Sequence, residues 1–329
     1  MYLLAQIRSS KQQISLLKDS YHGLSLFLDG ALQFAESHEH RYHECLSIIP
    51  MLYCHAKRIF IGGGGDGLAA TRLLKYPEVN EIVVCDYDQA VTELAKNQPD
   101  LRSLNLGSLL DPRVRIIHQD AYEYMENSSE YFDLIILDTP DPCTSSLARF
   151  HSDTFYRLVR DRLCSGGVFS QQAPSYPESA ALVQSTVKQI FPNSEYLRAC
   201  YSGSSNGFVV AANGALKRFR SLPSWTKYLN EPVLNALSAI PNDELIECDQ
   251  VNSLSNNKLL KAYIVEACLN RASEPYKFNP NYQLITVNRD NVCPCEQSYI
   301  LFDIAAKYTH LLYILSLQCW QILVKLCQK

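Results

Sequence analysis

A short apolar strand that runs into a glycine-rich turn constrains this fold more than any other feature of the sequence. Residues 58–61 read Arg-Ile-Phe-Ile, and four glycines come directly after them, before a periodic apolar segment at residues 68–74. Gly62, Gly64 and Gly67 have the spacing GxGxxG, which lets the backbone approach a nucleotide at a helix N-terminus. This signal alone is weak, because the same turn would equally open a nicotinamide-dependent dehydrogenase.

Strand-like and helix-like segments alternate downstream of the turn, and this repetition predicts a doubly wound, mostly parallel sheet with ligands at the carboxyl ends of its strands. The apolar patterns predict strands at 82–85, 114–117, 134–137, 168–170, 196–200 and 208–212, and helices at 89–96, around 122, at 154–163 and at 180–190. Upstream, residues 13–33 alternate in polarity around the turn dipeptide Asp29-Gly30, and residues 39–52 have a helical pattern. A small antiparallel sheet and a connecting helix are therefore expected there.

Composition narrows the function classes. The formal net charge is -4, with 30 basic and 34 acidic residues intermixed, so a cationic substrate suits the chain better than nucleic acid does. The 12 cysteines are scattered along the chain, which is typical of free thiols in a reducing cytoplasm. Cys293 and Cys295 do not have the spacing of a zinc knuckle, so we assign no metal site. Arg8 and Lys11 precede any long apolar run. We therefore expect no signal peptide, no membrane span and a cytoplasmic location.

Two acidic residues near the glycine turn indicate the kind of ligand. Asp86 follows the strand at 82–85, about 20 residues after the turn, where a carboxylate can accept hydrogen bonds from both ribose hydroxyls. Asp66 lies inside the turn, where it would repel a pyrophosphate and attract an ammonium or sulfonium tail. Together they favour an adenosine ligand with a cationic tail over a dinucleotide.

The next two strands also end in acids. Asp120 and Ala121 could read an adenine edge through a side chain and a backbone N–H, although Asp120 would serve equally as a helix N-cap. Asp138 and Asp141 belong to the run Asp-Thr-Pro-Asp-Pro, which two prolines stiffen. We expect a rigid acidic pocket at this strand end, with an Asx-capped turn as the alternative.

These motifs together resemble the spermidine synthase (polyamine aminopropyltransferase) family. The matching segments are Gly63-Gly64-Gly65-Asp66-Gly67, Cys85-Asp86-Tyr87-Asp88, Gln119-Asp120-Ala121 and the Asp-x-x-Asp-Pro run from Asp138. With residues 28–33, 42–44 and 228–230, the likeness covers about residues 5–247. The expected fold class is therefore α/β, with a small N-terminal antiparallel β-sheet, a doubly wound Rossmann-like methyltransferase-type sheet and a mainly helical C-terminal extension.

The resemblance and the glycine spacing imply two adjoining sites. The nucleoside site would contain Gln12, Gly62, Gly64, Asp66, Gly67, Asp86, Asp120 and Ala121. The acceptor side would contain Tyr42, His43, Asp138, Asp141 and Tyr201. We expect Asp138 to act as the general base and two tyrosines, Tyr42 and Tyr201, to orient the nucleophile.

Three departures from the family pattern leave the choice of acceptor open. The family commonly has Tyr-Pro-Ser-Gly where this chain has Tyr201-Ser-Gly-Ser. Ala121 replaces a usual glycine, and His38 stands where an acidic residue is typical.

The expected regions are an N-terminal sheet domain with its connecting helix at 1–50, a Rossmann-like catalytic domain at 51–247 and an extension of unknown role at 248–329. Within the extension, residues 252–257 resemble a linker and residues 299–326 a packed or oligomerising helix.

The expected reaction moves the aminopropyl group of decarboxylated S-adenosylmethionine, a co-substrate, to an amine such as putrescine and releases methylthioadenosine. No permanently bound cofactor is expected. One alternative is a transferase that uses intact S-adenosylmethionine to move a methyl or aminocarboxypropyl group to a peptide, nucleotide or natural product. Another is a non-catalytic homologue that acts as a binding subunit. The expected partners are a polyamine or other amine acceptor and further copies of the chain in a homodimer or higher homo-oligomer, with neither nucleic acid nor membrane.

Overall fold

The computed structural model describes residues 2–201 and 204–273, with the backbone alone for residues 201, 204 and 270–273. It has an α/β architecture in which a small antiparallel sheet precedes a larger mixed sheet flanked by helices. The predicted fold class is therefore confirmed. The predicted helix at 299–326 lies outside the described residues.

The N-terminal sheet has four antiparallel strands in the order β1-β2-β3-β4. Their bounds are β1 Tyr2–Arg8, β2 Gln13–Asp19, β3 Gly23–Leu28 and β4 Ala31–Ala35. The predicted turn joins β3 to β4, where Asp29 and Gly30 have φ angles of 48° and 85°. Positive φ at both positions suits the right-handed twist of a hairpin.

The larger sheet has seven strands in the order β10-β11-β9-β8-β5-β6-β7. Their bounds are β5 Arg58–Gly63, β6 Glu81–Cys85, β7 Val114–Ile117, β8 Phe132–Asp138, β9 Leu163–Ala173, β10 Asn193–Tyr201 and β11 Ser204–Ala212. The strands from β9 to β7 are parallel, and β11 is antiparallel to both of its neighbours. After β5 the chain first adds β6 and β7 on one side and then returns to place β8 on the other. A crevice for ligands opens beyond the strand ends at such a switch point.

Helices cover both faces of this sheet. Their bounds are α1 Glu39–Met51, α2 Leu68–Leu73, α3 Gln89–Asn97, α4 Pro99–Leu104, α5 Ala121–Asn127, α6 Ser145–Ala148, α7 Asp153–Arg162, α8 Pro177–Ile190, α9 Glu231–Ala236 and α10 Lys258–Ser273. Successive residues of β5 alternate between the two faces, so that Ile59 and Ile61 pack with α1 and α2 while Phe60 packs with α5 and α7. Both faces are therefore core, which explains the nearly continuous apolar strands.

The first part of the C-terminal extension packs against helices α6 and α8. Asn252, expected in a linker, is only 2% exposed, and its amide nitrogen donates to the backbone oxygens of Ala148 and His151. Leu259 of α10 is fully buried in the core cluster on the α8 side of the sheet. Residues 252–273 are therefore part of the folded unit. Across the described ranges 2–201 and 204–273, none of the helices combines the length and the apolar character that crossing a membrane requires.

One side chain of α10 caps the helix next to it. The carboxylate of Glu266 accepts hydrogen bonds from the backbone N–H groups of Glu178 and Ser179, at 2.6 and 2.9 Å, and from the Ser179 hydroxyl at 2.5 Å. The N-cap residue of α8, Tyr176, makes no side-chain capping bond itself. Glu266 therefore satisfies amides that the helix leaves open and joins α10 to α8.

We predict that Glu266→Ala lowers the free energy of unfolding by about 1 to 2 kcal/mol, because loss of a helix cap has this size. Urea denaturation of the full chain measures the change. Glu247→Ala removes the same charge from an exposed position and is the matched control. Equal stability of the Glu266 variant and the control would show that the capping contact does not hold α10.

Candidate active site

An acid-lined cavity lies beyond the carboxyl ends of β5, β6 and β8, under the N-terminal sheet. Its volume is about 390 Å³, which suits a small-molecule site. The acidic residues on its wall are Glu39, Asp66, Asp86, Asp138 and Asp141. No lysine or arginine is among the described residues that line it. Such a cavity favours a cationic ligand.

The glycine turn lets the ends of β5 and β8 approach closely. Gly63 has a φ angle of 84°, and a Cβ atom there would lie 2.1 Å from the backbone oxygen of Asp138. A Cβ atom on Gly65 would lie 2.4 Å from the carboxylate of Asp86. Side chains at these positions would push Asp138 and Asp86 out of place. The glycines therefore bring both carboxylates to the cavity.

Asp66 lies between the glycine turn and α2. Its Oδ1 accepts the backbone N–H of Leu68 at 2.8 Å, so the carboxylate is fixed at the start of the helix. Burial, together with the negative charge of Asp138, raises the pKa of Asp66 to about 6, although His43 opposes this rise. The ionised form is thus held in unfavourable surroundings that a bound cation would relieve.

Asp86 lines the cavity directly after the last residue of β6. It accepts backbone N–H groups from Gly65 at 3.0 Å and Asp88 at 2.9 Å, and burial raises its pKa to about 6. Gln12 is not among the residues that line the cavity. Its side chain donates to Asp88 at 3.0 Å and accepts from the Tyr87 hydroxyl at 3.2 Å. The N-terminal sheet is thereby tied to the loop after β6.

The predicted adenine-reading pair is held by other contacts. Oδ1 of Asp120 caps α5 by accepting the N–H of Tyr122 at 2.9 Å, and Oδ2 pairs with Arg149. Ala121 is buried against Gly62, where a Cβ atom would lie 3.0 Å from the Ala121 side chain. The N-cap alternative for Asp120 is therefore seen in the structure, and its role towards adenine stays a prediction.

Tyr42 of α1 contacts the acid at the end of β8. Its hydroxyl donates to Oδ1 of Asp138 at 2.7 Å. Burial raises the pKa of Tyr42 well above its ordinary value, and the charge of Asp138 adds to the effect. Tyr42 therefore remains a proton donor and holds one oxygen of Asp138, while Oδ2 lies 3.5 Å from the Cβ position of Gly64. Asp138 is thus placed directly over the glycine turn.

Asp141 is held by two donors from distant parts of the chain. Nε2 of Gln172, on β9, donates to Oδ1 at 2.7 Å, and the hydroxyl of Tyr263, on α10, donates to Oδ2 at 2.9 Å. Burial raises the pKa of Asp141, whereas these hydrogen bonds act in the opposite direction. Asp141 therefore lines the cavity with its orientation fixed.

A buried ionic network supports the floor of the cavity. Arg72 of α2 donates to both oxygens of Glu39, at 2.5 and 2.7 Å, and Nδ1 of His43 lies 2.9 Å from Oε2 of Glu39. Burial alone would raise the pKa of Glu39, but His43 and Arg72 lower it to about 2. Burial would lower the pKa of His43, yet Glu39 and the nearby aspartates raise it. Glu39 is thus neutralised locally and positions His43.

The cavity brings together seven of the predicted site residues, namely Tyr42, His43, Gly64, Asp66, Asp86, Asp138 and Asp141. Five others are not among the residues that line it and keep their ligand roles as predictions, namely Gln12, Gly62, Gly67, Asp120 and Ala121. The side chain of Tyr201 lies outside the described residues. Sequence reasoning missed Arg72, Gln172 and Tyr263, because none of them stands in a recognisable local motif.

Comparison with known proteins agrees with this geometry. Residues 39–216 match the family described as the spermine/spermidine synthase domain. A polyamine aminopropyltransferase of Oceanobacillus iheyensis is 35% identical over 270 residues, which are 78% of this chain and 52% of the relative. One of Leptospira interrogans is 31% identical over 73% of this chain and 49% of its own. One of Aeropyrum pernix is 34% identical over 64% of this chain and 69% of its own. This chain thus spans about half the length of the first two relatives.

Solved structures give the same result. Spermidine synthase from Thermotoga maritima superposes with a TM-score of 0.66 at 28% identity, covering 74% of this chain and 87% of that one. A spermidine synthase in complex with the transition-state analogue AdoDATO superposes with a TM-score of 0.67 at 28% identity, covering 74% and 88%. With the matched domain and the relative from Aeropyrum pernix, these likenesses show that the chain belongs to the spermine/spermidine synthase family.

Proposed function

We propose that this chain transfers the aminopropyl group of decarboxylated S-adenosylmethionine to an amine acceptor and releases methylthioadenosine. The observation that carries the proposal is the common cavity of Asp66, Asp138 and Asp141, with no lysine or arginine among its described lining residues. The names of the relatives and the AdoDATO complex of a structural neighbour support it. No permanently bound cofactor enters the reaction.

The nucleoside would lie along the glycine turn, with its ribose hydroxyls on Asp86 and its cationic tail near Asp66. A carboxylate accepts two hydrogen bonds from a ribose diol. Asp66 would attract the ammonium of the aminopropyl group and repel the extra carboxylate of intact S-adenosylmethionine. This repulsion favours the decarboxylated donor over the intact one, and hence aminopropyl over methyl or aminocarboxypropyl transfer.

The acceptor would place its reacting nitrogen beside Asp138. An alkylammonium has a pKa near 10.4 and is protonated at neutral pH, so it must lose a proton before it can attack. Oδ1 of Asp138 is held by Tyr42, so the other oxygen can take the proton. The nitrogen then forms a bond to the methylene carbon, the carbon–sulfur bond breaks, and its electron pair neutralises the sulfonium. Asp141 would bind a second ammonium of a diamine such as putrescine, which we propose as the acceptor.

We predict that Asp138→Asn lowers kcat by about 100 to 10,000-fold, the range that loss of a general base commonly produces. Donor affinity should remain near that of the wild type, because Asp138 is assigned to the acceptor. Steady-state kinetics and calorimetry with the donor measure the two quantities. Asp161→Asn makes the same change on the surface, where the side chain is 61% exposed, and serves as the control. Near-normal turnover by the Asp138 variant would remove it from the base role.

We predict that affinity for decarboxylated S-adenosylmethionine rises by about tenfold between pH 5 and pH 7. The pKa of Asp66 is raised to about 6, so the carboxyl is neutral below this value and ionised above it. Groups facing Asp66 include Tyr42, His43 and Glu39 on α1, Asp138 on β8 and Asp86 just after β6. The pKa of His43 is raised above its ordinary value, so loss of its proton comes at the upper end of this pH range or beyond it. Calorimetry at several pH values measures the change.

Methylthioadenosine is the neutral control for this pH dependence. It shares the ribose and adenine, so any titration of Asp86 affects both ligands, and only their difference reports the cationic tail. Asp66→Asn should flatten that difference and weaken the preference for the decarboxylated donor over intact S-adenosylmethionine. Identical pH profiles for the two ligands in the wild type would contradict the role of Asp66.

A further inference from the structure

Helix α10 brings a side chain to the cavity from outside residues 39–216, the part of the chain that matches the family. Tyr263 is 7% exposed, lines the cavity and donates its hydroxyl to Oδ2 of Asp141. We propose that Tyr263 is an acceptor-positioning residue, which acts by holding the Asp141 carboxylate in place for an ammonium group of the acceptor. This inference rests on the proposed function and adds to it a role for the C-terminal segment.

The Asp141 carboxylate has one hydrogen-bond donor on each of its two oxygens. Gln172 holds Oδ1 and Tyr263 holds Oδ2, so the plane of the carboxylate is fixed from both sides. Each carboxylate oxygen has two acceptor positions, so both oxygens can still accept from an ammonium group. The buried Oε1 of Gln172 accepts no hydrogen bond within the part of the chain that the structure describes. A cationic acceptor would meet fixed acceptors that need no rearrangement.

The surroundings of Tyr263 make it a fixed donor. Burial raises the pKa of Tyr263, and the negative charge of Asp141 raises it further, so the hydroxyl keeps its proton at neutral pH. The ring of Tyr176 packs against it with centroids 5.6 Å apart. The hydroxyl of Tyr263 therefore stays protonated, and its ring is held by packing against Tyr176.

The helix that carries Tyr263 is anchored on both sides of it. Oδ1 of Asn252 accepts the N–H of Leu259 at 3.1 Å, one turn before Tyr263. Glu266 caps α8 three residues after Tyr263. Leu259 and Ala267 are at most 1% exposed. A side chain on such a packed helix can hold its partner more closely than one on a loop can.

The test is a double-mutant cycle in the full-length chain with putrescine as the acceptor. We expect Tyr263→Phe to lower kcat/KM for putrescine by about tenfold through KM, with little change in kcat, since loss of a hydrogen bond to a charged group has this size. In an Asp141→Asn background the same change should have no further effect. Calorimetry with methylthioadenosine should give the wild-type affinity for every variant, which also confirms folding. Tyr131→Phe, at a residue 52% exposed, is the control for loss of a tyrosine hydroxyl.

The results separate the role of Tyr263 from the proposed aminopropyl transfer. A Tyr263→Phe variant with wild-type kcat/KM, or one whose losses add fully to those of Asp141→Asn, would overturn the role of Tyr263 and leave the proposed function intact. Weaker methylthioadenosine binding by Tyr263→Phe would assign the residue to general structure and also overturn it. A wild-type chain that turns over no putrescine would overturn this acceptor and the inference with it, whereas consumption of the decarboxylated donor with another amine would retain aminopropyl transfer.

Discussion

Like-charged carboxylates held in one cavity are the constraint on which the site depends. Asp66, Asp138 and Asp141 share a wall with no lysine or arginine among its described residues, and burial raises the pKa of Asp66 to about 6. Such an arrangement is unfavourable while it is empty, because the ionised groups lose hydration and repel one another. A cationic ligand removes both penalties. On electrostatic grounds the cavity therefore favours a cationic ligand over a dinucleotide, whose pyrophosphate the same charges would repel.

Backbone geometry makes this concentration of charge possible. The glycines at 63 and 65 allow the strand ends to approach to a distance at which any side chain would collide with Asp138 or Asp86. Neighbouring side chains hold the carboxylates, since Tyr42 donates to Asp138 and the Glu39 carboxylate is neutralised by Arg72 and His43. Each acid thus has a fixed direction. Fixed charges can stabilise a transition state without rearrangement in the reaction itself.

Local patterns predicted the strands and most of the cavity, and long-range contacts account for what they missed. The strand at 114–117 has the predicted bounds, and the acids at strand ends meet because parallel strands share one edge. By contrast, β1 lacked a pattern strong enough to predict it, and Asn252 was placed in a linker although it is buried. Tyr263 lies 122 positions after the acid it contacts. A tyrosine in an apolar helix reads as core, and only the packing of α10 on α8 reveals its partner.

The masses of the products distinguish aminopropyl transfer from methyl and aminocarboxypropyl transfer. The purified chain would be incubated with putrescine and either decarboxylated or intact S-adenosylmethionine, and all products would be identified by mass spectrometry. We expect that the decarboxylated donor alone is consumed, giving methylthioadenosine and putrescine enlarged by one aminopropyl group. Formation of a methylated or aminocarboxypropylated amine from the intact donor would contradict it, as would binding of either donor without turnover of any amine.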